Sequence, residues 1–468
     1  MSGELWTALD AARASGGRLT EGGWVAGGVS IDTRTLQPGD LFVALSDKRD
    51  GHAFAQDALD KGAAAVMVSD PTCASGPRLV VDDVLSGLRC LGEGARQRCP
   101  GVRVGVTGSV GKTGVKEALA EVFRAAGSAH WSEKSYNNHW GVPLTLARMP
   151  AQTQRAVFEM GMNHAGEIAD LVSMVRPQVA MITKIAPAHL ETLGSLEAIA
   201  DAKAEIFSGL ADDGVAVVPA DDEFCPRLSD AVAVSRAAFV IDFGWRANAA
   251  VRVVHYEEGP DGGVGELDVM GLKLAFRLKL PGRHQAVNAA GVVAAAFAAG
   301  VDPAMTVDAL ARLEPVAGRG AAFEVQLSQR RNITVIDESY NANPASMAAA
   351  LTAVKARAPA KGGKRVAVLG EMLELGPDAA AMHAALAGPV ADAGVELAVL
   401  VGEGARALHE ALQGQVETVW APDADRAGQL LQEKAGHGDV VLIKGSNASG
   451  VHKLAAALKT AHPDAARA

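Results

Sequence analysis

The chain has 468 residues, too many for one core at about 100–200 residues per domain. Hydrophobic residues make up 49% and charged residues 21%, a globular composition that excludes long disorder and collagen-like repeats. With 44 Lys and Arg against 54 Asp and Glu the formal charge is −10, so no global positive field recruits nucleic acid or an anionic membrane.

Compartment signals are sparse. The four cysteines (Cys73, Cys90, Cys99, Cys225) form no CxxC pair and no disulfide framework. The opening MSGELWTALDAA has no basic-then-apolar signal peptide pattern. The longest apolar run, Ala-rich and around Ala289–Val301, is well short of the ~20 residues that span a bilayer. These features predict a soluble protein of a reducing compartment, without membrane insertion.

In chain order, the first hundred residues carry short strand-like runs at Leu41–Leu45, Ala64–Val68 and Leu79–Val81. A break at Cys99-Pro100-Gly101 precedes a β-branched run, Val102–Val106, that reads as a buried parallel strand. A glycine loop follows, then Val115, Ala118, Leu119, Val122, Phe123 and Ala126 at the spacing of one helical face. Strands recur at Ala156–Glu159, Val179–Ile185 and Val215–Pro219, the βαβ pattern of a parallel sheet. The pattern pauses near Leu313–Gly320 and resumes at Ile333–Asp337, Arg365–Leu369, Leu397–Val401 and Val440–Ile443. The reading is α/β with three domains: residues 1–100, smaller; 101–314, central with a parallel sheet; and 315–468, Rossmann-like.

The loop Thr107-Gly108-Ser109-Val110-Gly111-Lys112-Thr113 joins the first central strand to its helix. Backbone N–H groups at such a helix start form an anion site; Lys112 adds charge and Thr113 a hydroxyl for Mg²⁺. The spacing is GxxGKT, shorter than the usual phosphate loop, yet its strand–loop–helix context predicts nucleotide binding. Lys203 falls on the apolar stripe of a helix predicted over Ser195–Leu210. Spacing alone favours a snorkelling stem; the other reading is a buried, neutral amine able to add CO₂ and become a carbamate ligand. Glu159, His189 and Asp337 sit at strand carboxyl ends, where open α/β sheets collect ligands, and Asn343-Pro344 predicts a helix start. Thr113, Glu159, His189 and a modified Lys203 make a reasonable sparse Mg²⁺ set.

Longer runs resemble the Mur ligases, the amide-bond-forming enzymes of bacterial peptidoglycan precursor synthesis. They include Ser30-Ile31-Asp32-Thr33-Arg34, Tyr136–Leu144, Glu159–His164, Ala186–Leu190, Ala202–Phe207, Leu280–His284, Asp337–Asn343, Leu369–Met372 and Ile443–Ser446. The resemblance covers nearly the whole chain. It implies an ATP-dependent ligation in which the 107–113 loop holds ATP, and Thr113, Glu159, His189 and a carbamylated Lys203 serve two magnesium ions. Asn288 resembles the residue near adenine, Arg319 the one at the γ-phosphate, and Asp337 the ribose contact. Lys112, His189, Lys203 and Arg319 are the implied catalytic set. Ser30, Asp32, Thr33 and Arg34 resemble a uridine-diphosphate anchor; Asn137, Asn138, Asn341 and Asn343 are implied substrate contacts. Asp-Glu-Ser-Tyr-Asn-Ala-Asn is the form seen in the branch that adds D-alanyl-D-alanine to a UDP-N-acetylmuramoyl tripeptide.

Gly114, Ser132 and Ser135 depart from the family pattern. The resemblance further implies a cytoplasmic, monomeric enzyme of cell-wall synthesis, and through it a part in cell shape and division. Another Mur-type or folylpolyglutamate-type amide ligase, or a non-catalytic nucleotide switch, are the alternatives.

Overall fold

Three larger β-sheets follow one another along the chain in the computed structural model, which describes residues 4–259 and 262–460. The first has the spatial order Arg18–Leu19, Arg78–Val80, Ala65–Val68, Asp40–Val43, Gly28–Ser30, parallel except for its first strand. The helix Val84–Arg98, capped by Asp83, packs on the helix Gly141–Ala147 of the second unit.

The second sheet has nine strands. From one edge they run Ala129–Trp131, Arg155–Glu159, Val102–Thr107, Val179–Ile182, Gly214–Pro219, Ala237–Gly244, Val251–Gly259, Gly262–Val269 and Leu272–Leu278. All pairings are parallel up to Val251–Gly259, and the last two strands turn back antiparallel. Val102–Thr107 lies between neighbours from which the chain proceeds in opposite directions, so the crevice of the sheet opens at its carboxyl end. The helix Lys112–Ala126 buries Val115, Ala118, Leu119, Val122 and Phe123 in the core beneath, as its periodicity predicts.

The third sheet runs Ala321–Ser328, Arg331–Glu338, Val440–Lys444, Arg365–Gly370, Leu397–Val401, Glu417–Ala421, with only the first strand antiparallel.

Several details differ from the sequence reading: the run Val179–Ile185 is a strand only to Ile182, and Ala237–Gly244, Ala321–Ser328 and Glu417–Ala421 are further strands. The antiparallel strands Gly262–Val269 and Leu272–Leu278 extend the central sheet; Met270 (φ 51°) and Gly271 (φ 94°) supply the left-handed pair that a tight hairpin needs. The predicted Ser195–Leu210 helix is α-helical only over Leu196–Ala204, capped by Ser195, and then tightens into a 3₁₀ turn over Glu205–Gly209.

The first two units are tied together. Trp6 Nε1 donates to the Ala147 carbonyl (2.8 Å), Arg148 Nε to that of Val29 (2.7 Å), and both guanidinium nitrogens of Arg89 reach the Asp170 carboxylate (2.7 and 2.6 Å). The third unit meets the second through fewer groups: His189 with Glu374, Glu191 N–H with the Glu374 carbonyl, and Tyr340 with Ser135.

Candidate active site

At the end of Val102–Thr107 the chain needs two unusual backbone conformations. Gly108 (φ 150°) has no room for a Cβ, which would collide with Thr183 Oγ1, and Gly111 (φ 86°) caps the Lys112–Ala126 helix. The loop is stitched to the next strand end: Ser109 N–H donates to the Lys184 carbonyl (2.7 Å), Ser109 Oγ accepts from Ala186 N–H (3.0 Å), and Thr183 donates to the Val110 carbonyl (2.5 Å). Lys112 folds back to donate to the Gly108 carbonyl (2.5 Å). Burial holds its ammonium below the usual lysine range, with Glu159 opposing that shift and Arg319 adding to it. The arrangement is a rigid concave rim at a helix start with one cation above it, which suits a phosphate chain.

Next to Lys112 in the first turn of the helix, Thr113 donates to Glu159 Oε2 (2.7 Å), while Asn137 Nδ2 donates to Glu159 Oε1 (2.8 Å). Glu159 is buried. Among the described residues, no group of three or more His, Cys, Asp or Glu forms a ready cation cage. The touching oxygen donors of Thr113 and Glu159 still fit Mg²⁺, which takes oxygen ligands and fills its shell with phosphate and water.

Lys203 is 1% exposed, so its stem does not snorkel and that expectation fails. Burial drives its ammonium well below the lysine range, and Lys112 adds repulsion. Burial thus weakens the hold on the proton and favours the uncharged form relative to an exposed lysine.

His189 adopts φ 59° and places Nδ1 2.6 Å from Glu374 Oε2, a residue of the third unit that is itself left-handed (φ 62°). Hydrogen bonding to His189 holds the Glu374 carboxyl below its ordinary range. Arg319 stacks its guanidinium 4.1 Å over the Tyr340 ring. These groups border one cleft of about 920 Å³, which Ser109, Val110, Gly111, Lys112, Thr113, Asn137, Glu159, His189, Asn288, Arg319, Asn341 and Asn343 all line. The Asn288 amide lies against Gly111, 3.1 Å from where a Cβ would stand.

Thr107, Asn138, Lys203, Asp337 and the first-unit residues do not line the cleft, whereas Asn343 lines it and also caps a helix. Thr107 donates to the Met160 carbonyl (2.8 Å), and Asn138 Oδ1 accepts from Gly141 N–H (2.9 Å). The Asp337 carboxylate is taken up by Gly318 N–H (2.9 Å) and by the N–H and hydroxyl of Ser339 (3.1 and 2.5 Å). Asn343 is the helix cap predicted, with Oδ1 accepting from Ser346 N–H (2.8 Å) and Pro344 next. In the first unit Ser30 is buried, its hydroxyl donating to the Asp32 carbonyl (3.2 Å). The Arg34 guanidinium lies 2.6 Å from Asp32 and, by hydrogen bonding, holds that carboxyl at about 2. Lys61 donates to the Thr33 carbonyl (3.2 Å).

Sequence reasoning gave no role to Lys444, Glu338, His284, Tyr340 or Glu374, all at the cleft. Lys444 ends the apolar strand Val440–Lys444, is 3% exposed, and reaches Glu338 Oε2 (3.4 Å) and the Asn341 carbonyl (3.1 Å). A lysine closing a buried strand was the available signal.

Three family models match: the Mur ligase middle domain over residues 106–296, the Mur ligase glutamate ligase domain over 323–447, and the Mur ligase family catalytic domain over 26–88. The UDP-N-acetylmuramoyl-tripeptide–D-alanyl-D-alanine ligase of Escherichia coli (strain K12) is 35% identical, over 92% of this chain and 93% of its own. That of Bacillus subtilis (strain 168) is 31% identical, over 91% and 92%. Among solved structures, MurF from Acinetobacter baumannii superposes with a TM-score of 0.84 at 29% identity, covering 97% of this chain and 98% of that one. The MurF ligase from Thermotoga maritima in complex with ADP gives 0.75 at 25%, covering 92% and 97%. Escherichia coli FolC, at 20% identity and a TM-score of 0.60 over 79% and 92%, shares the fold alone. With all three units matched and a relative above 30% identity across nearly its full length, the chain belongs to the Mur ligase family.

Proposed function

We infer that this chain is an ATP-dependent ligase that adds D-alanyl-D-alanine to a UDP-N-acetylmuramoyl tripeptide, forming the pentapeptide precursor of peptidoglycan and releasing ADP and phosphate. The observation that carries the reading is one cleft that joins a phosphate loop, a buried carboxylate and cations of the third unit. The relatives that match over nearly their full length bear this substrate in their names. A first unit lies beside the nucleotide-binding one, and we assign residues 1–100 to the UDP-linked substrate, 101–314 to ATP, and 315–468 to the incoming dipeptide and phosphate.

The chemistry follows from the groups present. A carboxylate resists amine attack because its charge repels the nucleophile and oxide leaves poorly. Transfer of the γ-phosphoryl group to the tripeptide's terminal carboxylate corrects both and gives an acyl phosphate. The amine of D-alanyl-D-alanine attacks its carbonyl carbon through a tetrahedral intermediate, and phosphate leaves with the bonding pair. Lys112 and Arg319 neutralise charge on the moving phosphoryl group, so catalysis is mostly positioning and electrostatics. Asn288 borders the adenine end, and Asn341 and Asn343 border the dipeptide end. We assign Thr113, Glu159 and His189 to magnesium, which supplies charge neutralisation when bound, and Lys203, as a carbamate, to the same cluster. Asp337 holds Gly318 and Ser339, and so shapes the segment around Arg319; we assign it to the ribose. Ser30, Asp32, Thr33, Arg34 and Asn137 complete the substrate side.

Both nucleotides belong to the cytoplasm, where we place the reaction, and we take the enzyme to act as a monomer. Among the described residues no helix is long and apolar enough to cross a membrane. The test is ADP release with a panel of acceptors and donors: the UDP-muramyl tripeptide with D-alanyl-D-alanine should be turned over, and a folate with glutamate should not. Preference for the folate pair would overturn the reading.

A further inference from the structure

Lys116 has no part in the mechanism above, yet its side chain is wholly buried. It lies one helical turn beyond Lys112, and its ammonium donates to the Ser132 carbonyl (2.8 Å), the Lys134 carbonyl (3.1 Å) and the Glu117 carboxylate. An ion pair taken out of water is a poor source of stability, because desolvation cancels much of the attraction. What the ammonium does accomplish is geometric. It gathers two carbonyls of one loop, at a place where Lys134 is forced into a left-handed conformation (φ 52°).

That loop, residues 132–138, touches every unit of the molecule. Glu133 pairs with Arg148 (2.9 Å), whose Nε holds the Val29 carbonyl next to Ser30. The charge of Lys134 helps to lower the Asp32 carboxyl in the first unit. Ser135 accepts from the Tyr340 hydroxyl of the third unit, and Asn137 donates to Glu159 in the second. The ring then closes: Glu159 accepts from Thr113, which sits on the same helix as Lys116. One helix thus grips the phosphate loop's carboxylate partner with its first turn and the substrate-side loop with its second.

We propose that Lys116 is a positioning residue: by fixing the 132–138 loop to the phosphate-binding helix, it sets the distance between the first unit's substrate anchor and the phosphoryl site, and so governs use of the UDP-linked tripeptide rather than of ATP. The proposal rests on the reading that this loop borders the tripeptide.

The experiment compares Lys116→Met and Asn137→Ala in the full chain, measuring KM separately for the UDP-muramyl tripeptide and for ATP, with melting temperature alongside. For Lys116→Met the tripeptide KM should rise about ten-fold or more while the ATP KM stays within about two-fold, a split that general loss of structure does not produce. Lys116→Ala should recover tripeptide KM in part when ethylammonium is added, and this arm decides the matter if the Met variant does not fold. Equal changes in both KM values, no change in either, or an Ala variant indifferent to ethylammonium would overturn the proposal. If Asn137→Ala also leaves the tripeptide KM untouched, the placement of the loop is wrong; if it raises that KM while Lys116→Met does not, the role of Lys116 alone is wrong.

Discussion

Lys203 shows how far a single residue can be read from sequence. Its position on the apolar stripe fits both a snorkelling stem and a buried amine, because both place the first carbons against the core. Only the packing around it, with 1% of the residue exposed, decides between them. Burial, which pushes the ammonium well below the lysine range, supports the carbamate proposed for it. Lys203→Ala should accordingly be almost inactive, with short carboxylates restoring part of the rate; a variant as active as the parent would remove the carbamate from the account. Lys112 is the complementary case, legible from its GxxGKT setting alone. Lys112→Ala should lose substrate-dependent ADP release by about 10³-fold or more while circular dichroism stays native, as expected when a charge that acts on the phosphoryl group is removed. Glu374 was not legible, since nothing in Leu373-Glu374-Leu375 marks it as a partner of His189.

Elements with one dominant environment were the easiest to foresee. Arg365–Gly370, Leu397–Val401 and Val440–Lys444 are buried almost throughout and carry continuous apolar runs, and Val102–Thr107 is as buried with its valines broken only by Arg103 and Gly105. The strands Val251–Gly259, Gly262–Val269 and Leu272–Leu278 are half exposed, so charged residues alternate with the core positions and mask them. The edge strand Ala129–Trp131 carries a testable pH response. His130 Nε2 donates to the Thr145 carbonyl (2.7 Å), and burial lowers the ring from 6.5 to about 4. The unfolded chain therefore takes up this proton first, and stability should fall as pH drops from about 6.5 towards about 4. In His130→Gln the melting temperature should depend less on pH across that window; an unchanged slope would assign the acid sensitivity elsewhere. The Asn343 cap belongs to this scale too, and Asn343→Ala should destabilise by about 1 kcal/mol in chemical denaturation.

For the whole molecule, the three-unit division was legible because each unit restarts a strand–helix alternation, but the way the units meet was not. The first two share hydrogen bonds along a broad junction, whereas the third reaches the cleft through a few side chains, with Glu374 on His189 foremost. Exposed ion pairs contribute little to stability, typically about 0–1 kcal/mol. Glu374→Ala should therefore leave the melting temperature nearly unchanged while kcat falls about ten-fold through loss of positioning. Unchanged kinetics would show that the bridge is incidental to turnover. Whether an acyl phosphate forms in this cleft on the way to an amide is read from a UDP-muramyl tripeptide labelled with oxygen-18 in its terminal carboxylate. Incubated with ATP and D-alanyl-D-alanine, it should give a pentapeptide by mass spectrometry and inorganic phosphate carrying one labelled oxygen. Phosphate free of label would rule out the acyl phosphate.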